Sequence, residues 1–591
     1  MCGIFGYVGA YTDTGGMVLQ ALKRLEYRGY DSWGVAVGIN NHIEIEKHVG
    51  KIGSAMVDLP ASDIGFGHTR WATHGGVCEA NAHPIPDASG RLAVIHNGII
   101  ENFRSLRTSL TERGYAFHSE TDTEVVAHLV SDLLGQGDTP EAVRSAVARA
   151  FMQLRGLNAI IVLDRSTRTL TAIKHVSPLV IGQRESGSFI ASDTLALAGH
   201  TERVSYLEDY QLVQLEHDGI TSIDARDGQA WPLVWADIPV EEGSAELGGY
   251  PHYMLKEMHE QPAVLERIAR DKLDETRELA RLIQSSYGTF LVGCGTASYA
   301  ALTGSYLFSR IARRHVNFVV GSEFEYQEHF LTDRSLVVAL SQSGETVDVI
   351  EPVLAARERG AKIVALVNVK GSTLDRIADF SVHLDAGPEQ CVLSTKAYTA
   401  KVATLLLTAH ILNGSEHVGR DLLWRAVDGV SAALTPGFID RVHGVAETVN
   451  ASQNLFIIGR GLSYPTALEA ALKIKEVSYL HAEGFAGGEL KHGVIALIEP
   501  GTPCIVYSPL DETRTDIISG AMELKARGGL IIGISPENDE VFDIHLPIAD
   551  VADASPLVMA PPAQMLGYQL ALRRGFDPDK PRNLAKSVTV K

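Results

Sequence analysis

Two pairs of stretches in this chain resemble each other about 166 residues apart. "FLVGCGTASY" (290–299) is matched by "LFIIGRGLSY" (455–464), and "LVVALSQSGETVDVI" (336–350) by "PCIVYSPLDETRTDII" (503–518). Each copy runs on through a helical pattern into another apolar strand, "ERGAKIVALVN" or "ARGGLIIGIS". Apolar strands alternating with long helical patterns imply a parallel sheet, because parallel neighbours need a crossover helix. Two α/β doubly wound parallel-sheet lobes are therefore expected, at 253–430 and 431–571, with a tail at 572–591. The copies part at one loop: the first keeps "SQSGET", and the second has "SPLDET", without the glycine.

Residues 2–236 have another texture. Short β-type runs dominate ("GIFGYV", "WGVAVGI", "IEIEKHV", "LAVIHNGII", "NAIIVLD"), and helical patterns are few, notably "MVLQALKRLEYRG" and "TEVVAHLVSDLL". This predicts an α+β domain with a large mixed or antiparallel sheet. The acidic, aperiodic stretch at 237–252 reads as a linker. A formal net charge of −20, spread along 591 residues, argues against a nucleic-acid partner, which would need a basic stripe. No apolar run is long enough to cross a bilayer, and no signal-peptide pattern precedes Cys2. Five widely spaced cysteines (Cys2, Cys78, Cys294, Cys391, Cys504) without metal-type spacing predict a reducing, cytoplasmic setting.

Cys2 directly follows the initiator. Removal of Met1 would leave a thiol and a free α-amine on one residue, and an amine of pKa roughly 8 can accept the thiol proton at neutral pH. By itself "MCGIFG" equally fits a buried cysteine opening an edge strand. Four more stretches bear on the choice. "GHTRWATHG" (67–75) crowds Arg70, Trp71, Thr73 and His74 into a glycine-bounded loop, and "NAHP" (81–84) follows. "HNGIIEN" (96–102) ends a strand with Asn97-Gly98, which also fits a hairpin turn. "SETDTEVVAHL" (119–129) opens a helix, where Thr121 to Glu124 match a capping box. His68, His74, His83 and His96 lack zinc-type spacing, so no metal is expected.

In this order, behind an N-terminal Cys-Gly-Ile and with "KRLEYRGYDS" (23–32), these stretches resemble the glutaminase domain of class II (N-terminal nucleophile) glutamine amidotransferases. The whole chain, duplicated sugar-isomerase (SIS) lobes included, resembles the glucosamine-6-phosphate synthase family. The resemblance implies an α+β N-terminal nucleophile domain of layered sheets with flanking helices, ahead of the two SIS lobes. It assigns Cys2 the attack on the glutamine amide, and Asn97 with the Gly98 amide the oxyanion hole. It gives Arg70 the substrate α-carboxylate and Asp122 the α-ammonium, with Thr73 and His74 lining the pocket and Trp71 gating ammonia. Trp33 departs from the small residue common after this motif and is expected to crowd the pocket wall.

Ser341, Gln342, Ser343 and Thr346 sit in a loop between an apolar strand and a helix, which suits a phosphate. The resemblance makes this the sugar-phosphate loop and adds Thr296. Next to it stands Ala297 where serine is usual, so one hydroxyl is missing or displaced onto Ser298. "EQCVLSTKAYT" (389–399) resembles the segment closing over the sugar, with Glu389, Val392 and Ser394 candidates. Glu469, Lys473 and Glu476 share one face of a helical pattern, and spacing alone favours an exposed salt-bridge stripe. The motif match instead makes Glu476 the proton shuttle, with Lys473 its partner. It likewise makes His492 the ring-opening acid–base group, donated across a homodimer, and Lys586 the Schiff-base lysine, with Ala585 beside it. Lys591 replaces a commonly acidic terminus.

The implied partners are L-glutamine and D-fructose 6-phosphate, the implied product is D-glucosamine 6-phosphate, and no cofactor is required. Two alternatives stay open at this point: an amidotransferase acting on another sugar phosphate, and a non-catalytic sugar-phosphate sensor.

Overall fold

The computed structural model describes residues 2–40, 42–238 and 246–588. Part of the predicted linker (239–245), Met1 and Lys591 lie outside these. The described residues form two units. The first holds those before the 239–245 break together with the stretch from Ala585; the second runs from beyond the break to Leu584.

Two antiparallel sheets make the first unit. One has eight strands, ordered Ala236–Asp237, Arg203–Tyr206, Val180–Arg184, Gly187–Ala191, Gly3–Gly9, Ile64–Arg70, Ser32–Gly38 and Ile43–Val49. The other has six: Gly219–Asp224, Gln211–Glu216, Thr169–Lys174, Asn158–Asp164, Leu92–Gly98 and Ile85–Pro86. Side chains alternate across Gly3–Gly9. Ile4 and Val8 join Ile95, Ile161 and Leu215 in the core between the sheets. Phe5 and Tyr7 meet Val18, Leu19 and Leu22 of the helix Thr14–Arg24 on the other face. The helices Thr123–Leu134 and Pro140–Phe151 cover the outer face of the six-stranded sheet. The layers therefore run helix, sheet, sheet, helix, and the central strands of each sheet are buried on both faces. That burial explains strands such as "NAIIVLD", apolar nearly throughout.

In the second unit the sequence repeat becomes a structural one. One sheet is ordered Asn317–Val320, Gly288–Gly293, Ser335–Ser341, Lys362–Val367, Phe380–His383; the other His481–Ala486, Asn454–Gly459, Pro503–Tyr507, Leu530–Ser535, Ile544–Pro547. All pairs are parallel, and in chain order both read 2-1-3-4-5. One continuous apolar core spans both sheets, with the helix Lys396–Leu412 buried along nearly its whole length. In such a sheet ligands bind at the carboxyl ends of strands where the order reverses. In the first lobe that point is flanked by the loops after Gly293 and Ser341. Among the described residues no helix is long and apolar enough to cross a membrane.

The Asp579 carboxylate accepts the backbone N–H groups of Tyr253 (2.8 Å) and Met254 (2.7 Å) at the start of the helix Tyr253–His259. The Asp579 carbonyl accepts Val392 N–H at 3.0 Å. Asp579→Ala removes this cap and should cost about 1 kcal/mol, read as a lowered unfolding midpoint of the second unit in denaturant melts.

Candidate functional site

Cys2 lies one residue ahead of the central strand Gly3–Gly9, which rules out the edge-strand reading: neighbours pair with this strand on both sides. Where the backbone ladder runs out, hydroxyls continue it. Gly3 N–H donates to Thr69 Oγ1 (2.9 Å) and Ile4 N–H to Ser192 Oγ (3.0 Å). The Trp71 amide points at Cys2 Sγ from 3.2 Å. Burial pushes the Cys2 thiol above its usual pKa, while the Trp71 amide and the Arg70 guanidinium pull the other way. A nearby base is thus needed to ionise it.

Asn97 and Gly98 end the strand Leu92–Gly98 and lead to a helix, not to a hairpin. The Asn97 amide is held at both ends: Nδ2 donates to Cys2 O (2.9 Å), and Oδ1 accepts from His68 Nε2 (3.1 Å). His68 Nε2 also meets the His96 carbonyl at 3.1 Å, and a carbonyl can only accept, so that nitrogen carries the proton. Burial drives His68 down to about 3, so it stays neutral and fixes the Asn97 orientation. His96 bonds Thr123 Oγ1 (3.0 Å) and Asn158 Oδ1 (2.8 Å). Among the described residues no cluster of three or more His, Cys, Asp or Glu is placed to hold a metal.

Cys2 shares a small pocket with Arg70, Trp71, Thr73, His74, Gly98 and Asp122. All five residues expected to bind glutamine therefore line one pocket with the nucleophile. Gly67 to Arg70 are strand and not loop, the end of Ile64–Arg70. Arg70 Nη2 donates to His74 O (2.5 Å) and Nη1 to Gly76 O (3.2 Å). Asp122 Oδ2 accepts Ile100 N–H at 2.8 Å. The capping box does not form. Glu124 instead accepts the amides of His118 and Ser119, both at 2.7 Å, and Ser119 Oγ at 2.8 Å. Trp33 does not line the pocket; it packs in the core with Phe5 and against His48, ring centroids 4.6 Å apart.

In the second unit the exposed-stripe reading fails. Glu469 and Lys473 are each 1% exposed on the helix Ser463–Ser478. Lys473 Nζ lies 2.6 Å from Glu476 Oε2 and 3.7 Å from Glu469 Oε1, and Thr296 Oγ1 is 3.3 Å from the same Glu469 oxygen. Burial lifts the Glu469 carboxyl to about 8 against the pull of Lys473, so it keeps its proton at neutral pH. Burial disfavours the Lys473 charge, but Glu469 and Glu476 outweigh it and hold the ammonium above its usual value. Tyr398 and Tyr507, fully buried and close enough to feel Glu469, were not singled out by sequence.

The loop after Ser335–Ser341 is organised by its own hydroxyls. Ser341 Oγ accepts Gly344 N–H (3.0 Å) and meets Thr346 Oγ1 (2.9 Å); Ser343 Oγ accepts Glu345 N–H (3.2 Å). Gln342 is half-buried in this loop. Gly344 has φ +69°, and a Cβ there would fall 1.9 Å from Ser372 Oγ. The duplicate loop carries Asp511 at this position, and its carboxylate accepts Thr513 N–H (2.9 Å) and Oγ1–H (2.6 Å). Ser298 Oγ donates to Gly295 O (2.7 Å), so it does not replace the hydroxyl missing at Ala297. Glu389 Oε1 accepts the Thr395 and Ala397 amides (2.8 and 3.2 Å) at the start of the helix Lys396–Leu412, and Ser394 Oγ is buried without a hydrogen-bond partner. Val392 is buried. His492 is exposed at the end of the 3₁₀ turn Gly487–His492 and makes no hydrogen bond or ion pair with the Glu469–Lys473–Glu476 cluster. Ala585 and Lys586 are half-buried in the stretch grouped with the first unit.

The chain matches the description of a glutamine amidotransferase domain over residues 68–199 and that of a SIS domain over 282–411 and 449–572. It is 41% identical to the glutamine–fructose-6-phosphate aminotransferase (isomerizing) of Pyrococcus horikoshii over 609 residues, and 41% identical to that of Symbiobacterium thermophilum over 616, covering 100% of both chains in each case. The solved C-terminal domain of glucosamine-fructose-6-phosphate aminotransferase from Francisella tularensis covers 57% of the chain and 100% of its own, at 32% identity and a TM-score of 0.54. Tagatose-6-phosphate ketose/aldose isomerase from Escherichia coli, at 17% identity and a TM-score of 0.50, shares the fold over 56% of this chain and 96% of its own.

Glu124 holds the segment that presents Asp122, and its ionisation should be visible in stability. Burial opposes the charge, but His128 and the His118 and Ser119 amides outweigh it and hold the carboxyl down to about 2, against a usual 4.5. A depressed carboxylate stabilises the fold above its unfolded pKa and loses that contribution as pH falls through the folded one. Wild type should exceed Glu124→Gln by roughly 2 kcal/mol near neutrality. The gap should close between about pH 4.5 and 2 in pH-resolved denaturation of the first unit.

Proposed function

The chain belongs to the glutamine–fructose-6-phosphate aminotransferase (isomerizing) family, and from that premise we propose how its residues divide the synthesis of D-glucosamine 6-phosphate from D-fructose 6-phosphate and L-glutamine. The observation carrying the proposal is the single cavity that Cys2 shares with Arg70, Trp71, Thr73, His74 and Asp122. Glutamine enters it with its α-carboxylate on Arg70 and its α-ammonium on Asp122. With Met1 removed, the freed amine takes the Cys2 proton. The thiolate attacks the side-chain amide carbon, and the oxyanion forms against Asn97 Nδ2 and the Gly98 amide. Collapse returns the proton to the leaving nitrogen as ammonia; water then releases glutamate from the thioester. Ammonia is the nitrogen that reaches the sugar, and passage out of water keeps it unprotonated, with Trp71 as the gate.

At the second site the sugar phosphate is held by the hydroxyls and amides of Ser341, Gln342, Ser343 and Thr346 at a helix start, with Thr296 beside them. Glu389, Val392, Ser394 and Ala585 bound the sugar. His492 opens the ring; being exposed and apart from the buried cluster, it serves the site of a second copy in a homodimer. Lys586 condenses with the C2 ketone, and ammonia displaces it to give the C2 imine. Glu476 carries a proton from C1 to C2 while the O1 proton passes to the imine nitrogen as the aldehyde and amine form, and the Lys473 ammonium beside Glu476 balances the charge on that carboxylate. Without nitrogen the same moves convert fructose 6-phosphate to glucose 6-phosphate.

This predicts a crossed pair of defects. Cys2→Ala should lose glutamate release and amino-sugar formation by roughly a thousandfold or more, yet still interconvert fructose and glucose 6-phosphates. Glu476→Gln should lose that interconversion and still hydrolyse glutamine. Amino sugar made from glutamine at the normal pace by Cys2→Ala would sink the proposal.

A further inference from the structure

Two side chains that do not line the glutamine cavity tie its two charged walls together. Asn81, 1% exposed, donates through Nδ2 to Gly76 O (3.0 Å) and to Glu120 Oε2 (2.9 Å), and accepts Glu120 N–H at Oδ1 (2.9 Å). The same Glu120 oxygen accepts Gly76 N–H at 3.0 Å. Gly76 O is also held by Arg70 Nη1. The Gly76 residue is thus gripped by Arg70, Asn81 and Glu120 together, and Glu120 stands two residues before Asp122. Packing agrees: Gly75 has φ +80°, and a Cβ there would lie 2.7 Å from Asn81 Nδ2 and 2.9 Å from Glu120 Cβ. The glycine in "THGG" makes room for the clasp, and the asparagine of "NAHP" closes it.

We propose that Asn81 and Glu120 are positioning residues that set the spacing between Arg70 and Asp122, and so restrict the amide donor to an α-amino acid. Both charges of the substrate sit on one carbon, so both partners must be met at once. If either loop drifts by about an ångström, one contact is gained only by losing the other. Nothing in the clasp touches the thiol, so the chemistry at Cys2 proceeds once the amide arrives. The inference rests on the reading of Arg70 and Asp122 as the amino-acid clamp.

Full-length wild type, Asn81→Asp, Glu120→Ala and Glu120→Gln separate the possibilities. Asn81→Asp keeps the shape but sets a second carboxylate against Glu120. Glu120→Ala removes an exposed side chain, and carries the same test should Asn81→Asp fail to fold. Glu120→Gln can keep one oxygen facing Gly76 N–H and Asn81. For the first two variants the glutamine KM for glutamate release should rise roughly tenfold to a hundredfold with kcat within about threefold, and Glu120→Gln should stay near wild type. Alkylation of Cys2 by iodoacetamide, a neutral amide without α charges, should keep its rate, while the L-glutamate concentration that half-protects Cys2 should rise with KM. Equal protection of wild type and Asn81→Asp would overturn the clasp alone. So would a fall in kcat and alkylation rate matching the rise in KM, since that reports damage at the thiol. Failure of L-glutamate to protect wild type would overturn the clamp reading, and the clasp with it.

Discussion

The strand Gly3–Gly9 is buried on both faces and paired on both edges, and the first site depends on that confinement. A residue outside a strand's ladder is ordinarily less firmly held than those within it. Here the backbone just beyond Cys2 is fastened by Thr69 and Ser192 hydroxyls, which continue the ladder by one more step on each side. The packing of two sheets does the rest. Cys2 directly precedes a strand of one sheet and Asn97 lies near the end of a strand of the other, and the Asn97–Cys2 carbonyl bond joins the two. Neutral His68 then leaves Asn97 one orientation. The placement of Cys2 against Asn97 is set by core packing, with little left to loop conformation.

The second unit shows how a duplicated fold acquires two different halves. A helix start favours negative charge, because its first amides lack partners. The first lobe caps none of these amides with a side chain, and its serine hydroxyls bond the Gly344 and Glu345 amides of the loop just ahead of the helix. The second lobe supplies its own anion, Asp511, bonded to Thr513 twice over. A loop that carries its own carboxylate has little to offer a phosphate. Freed from that role, the second lobe contributes the helix Ser463–Ser478, which places Glu469 against Thr296 of the first.

Much of this was legible in the sequence where one physical rule dominated. Continuous apolar runs marked strands buried on both faces, and the repeat predicted two like lobes that have identical strand order. The misreadings share a cause: neighbours in space outweighed neighbours in sequence. Gly67 to Arg70 read as loop because glycines and charges interrupt the apolar pattern, yet strands flank them on both sides. Spacing alone would make Glu469 and Lys473 a solvated stripe, since it carries no information about burial, and only the motif match set that reading aside. Thr121 to Glu124 matched a capping box, but the Glu124 carboxylate found the His118 and Ser119 amides first. Ser298 looked like a displaced ligand until its own helix turn claimed the hydroxyl. Asn81 and Glu120 sat inside quoted motifs, but only contacts 39 residues apart reveal their partnership.

The buried Glu469–Lys473–Glu476 cluster sits where the two lobes share a core. Taking an ammonium and carboxylates out of water costs several kcal/mol per ion, and pairing alone seldom recovers it. Keeping Glu469 protonated lowers that cost by removing one charge. Its Oε2 and the Ser394 hydroxyl remain buried without a protein partner. Such atoms gain most from a polyhydroxyl substrate, since each new hydrogen bond satisfies a group already stripped of water.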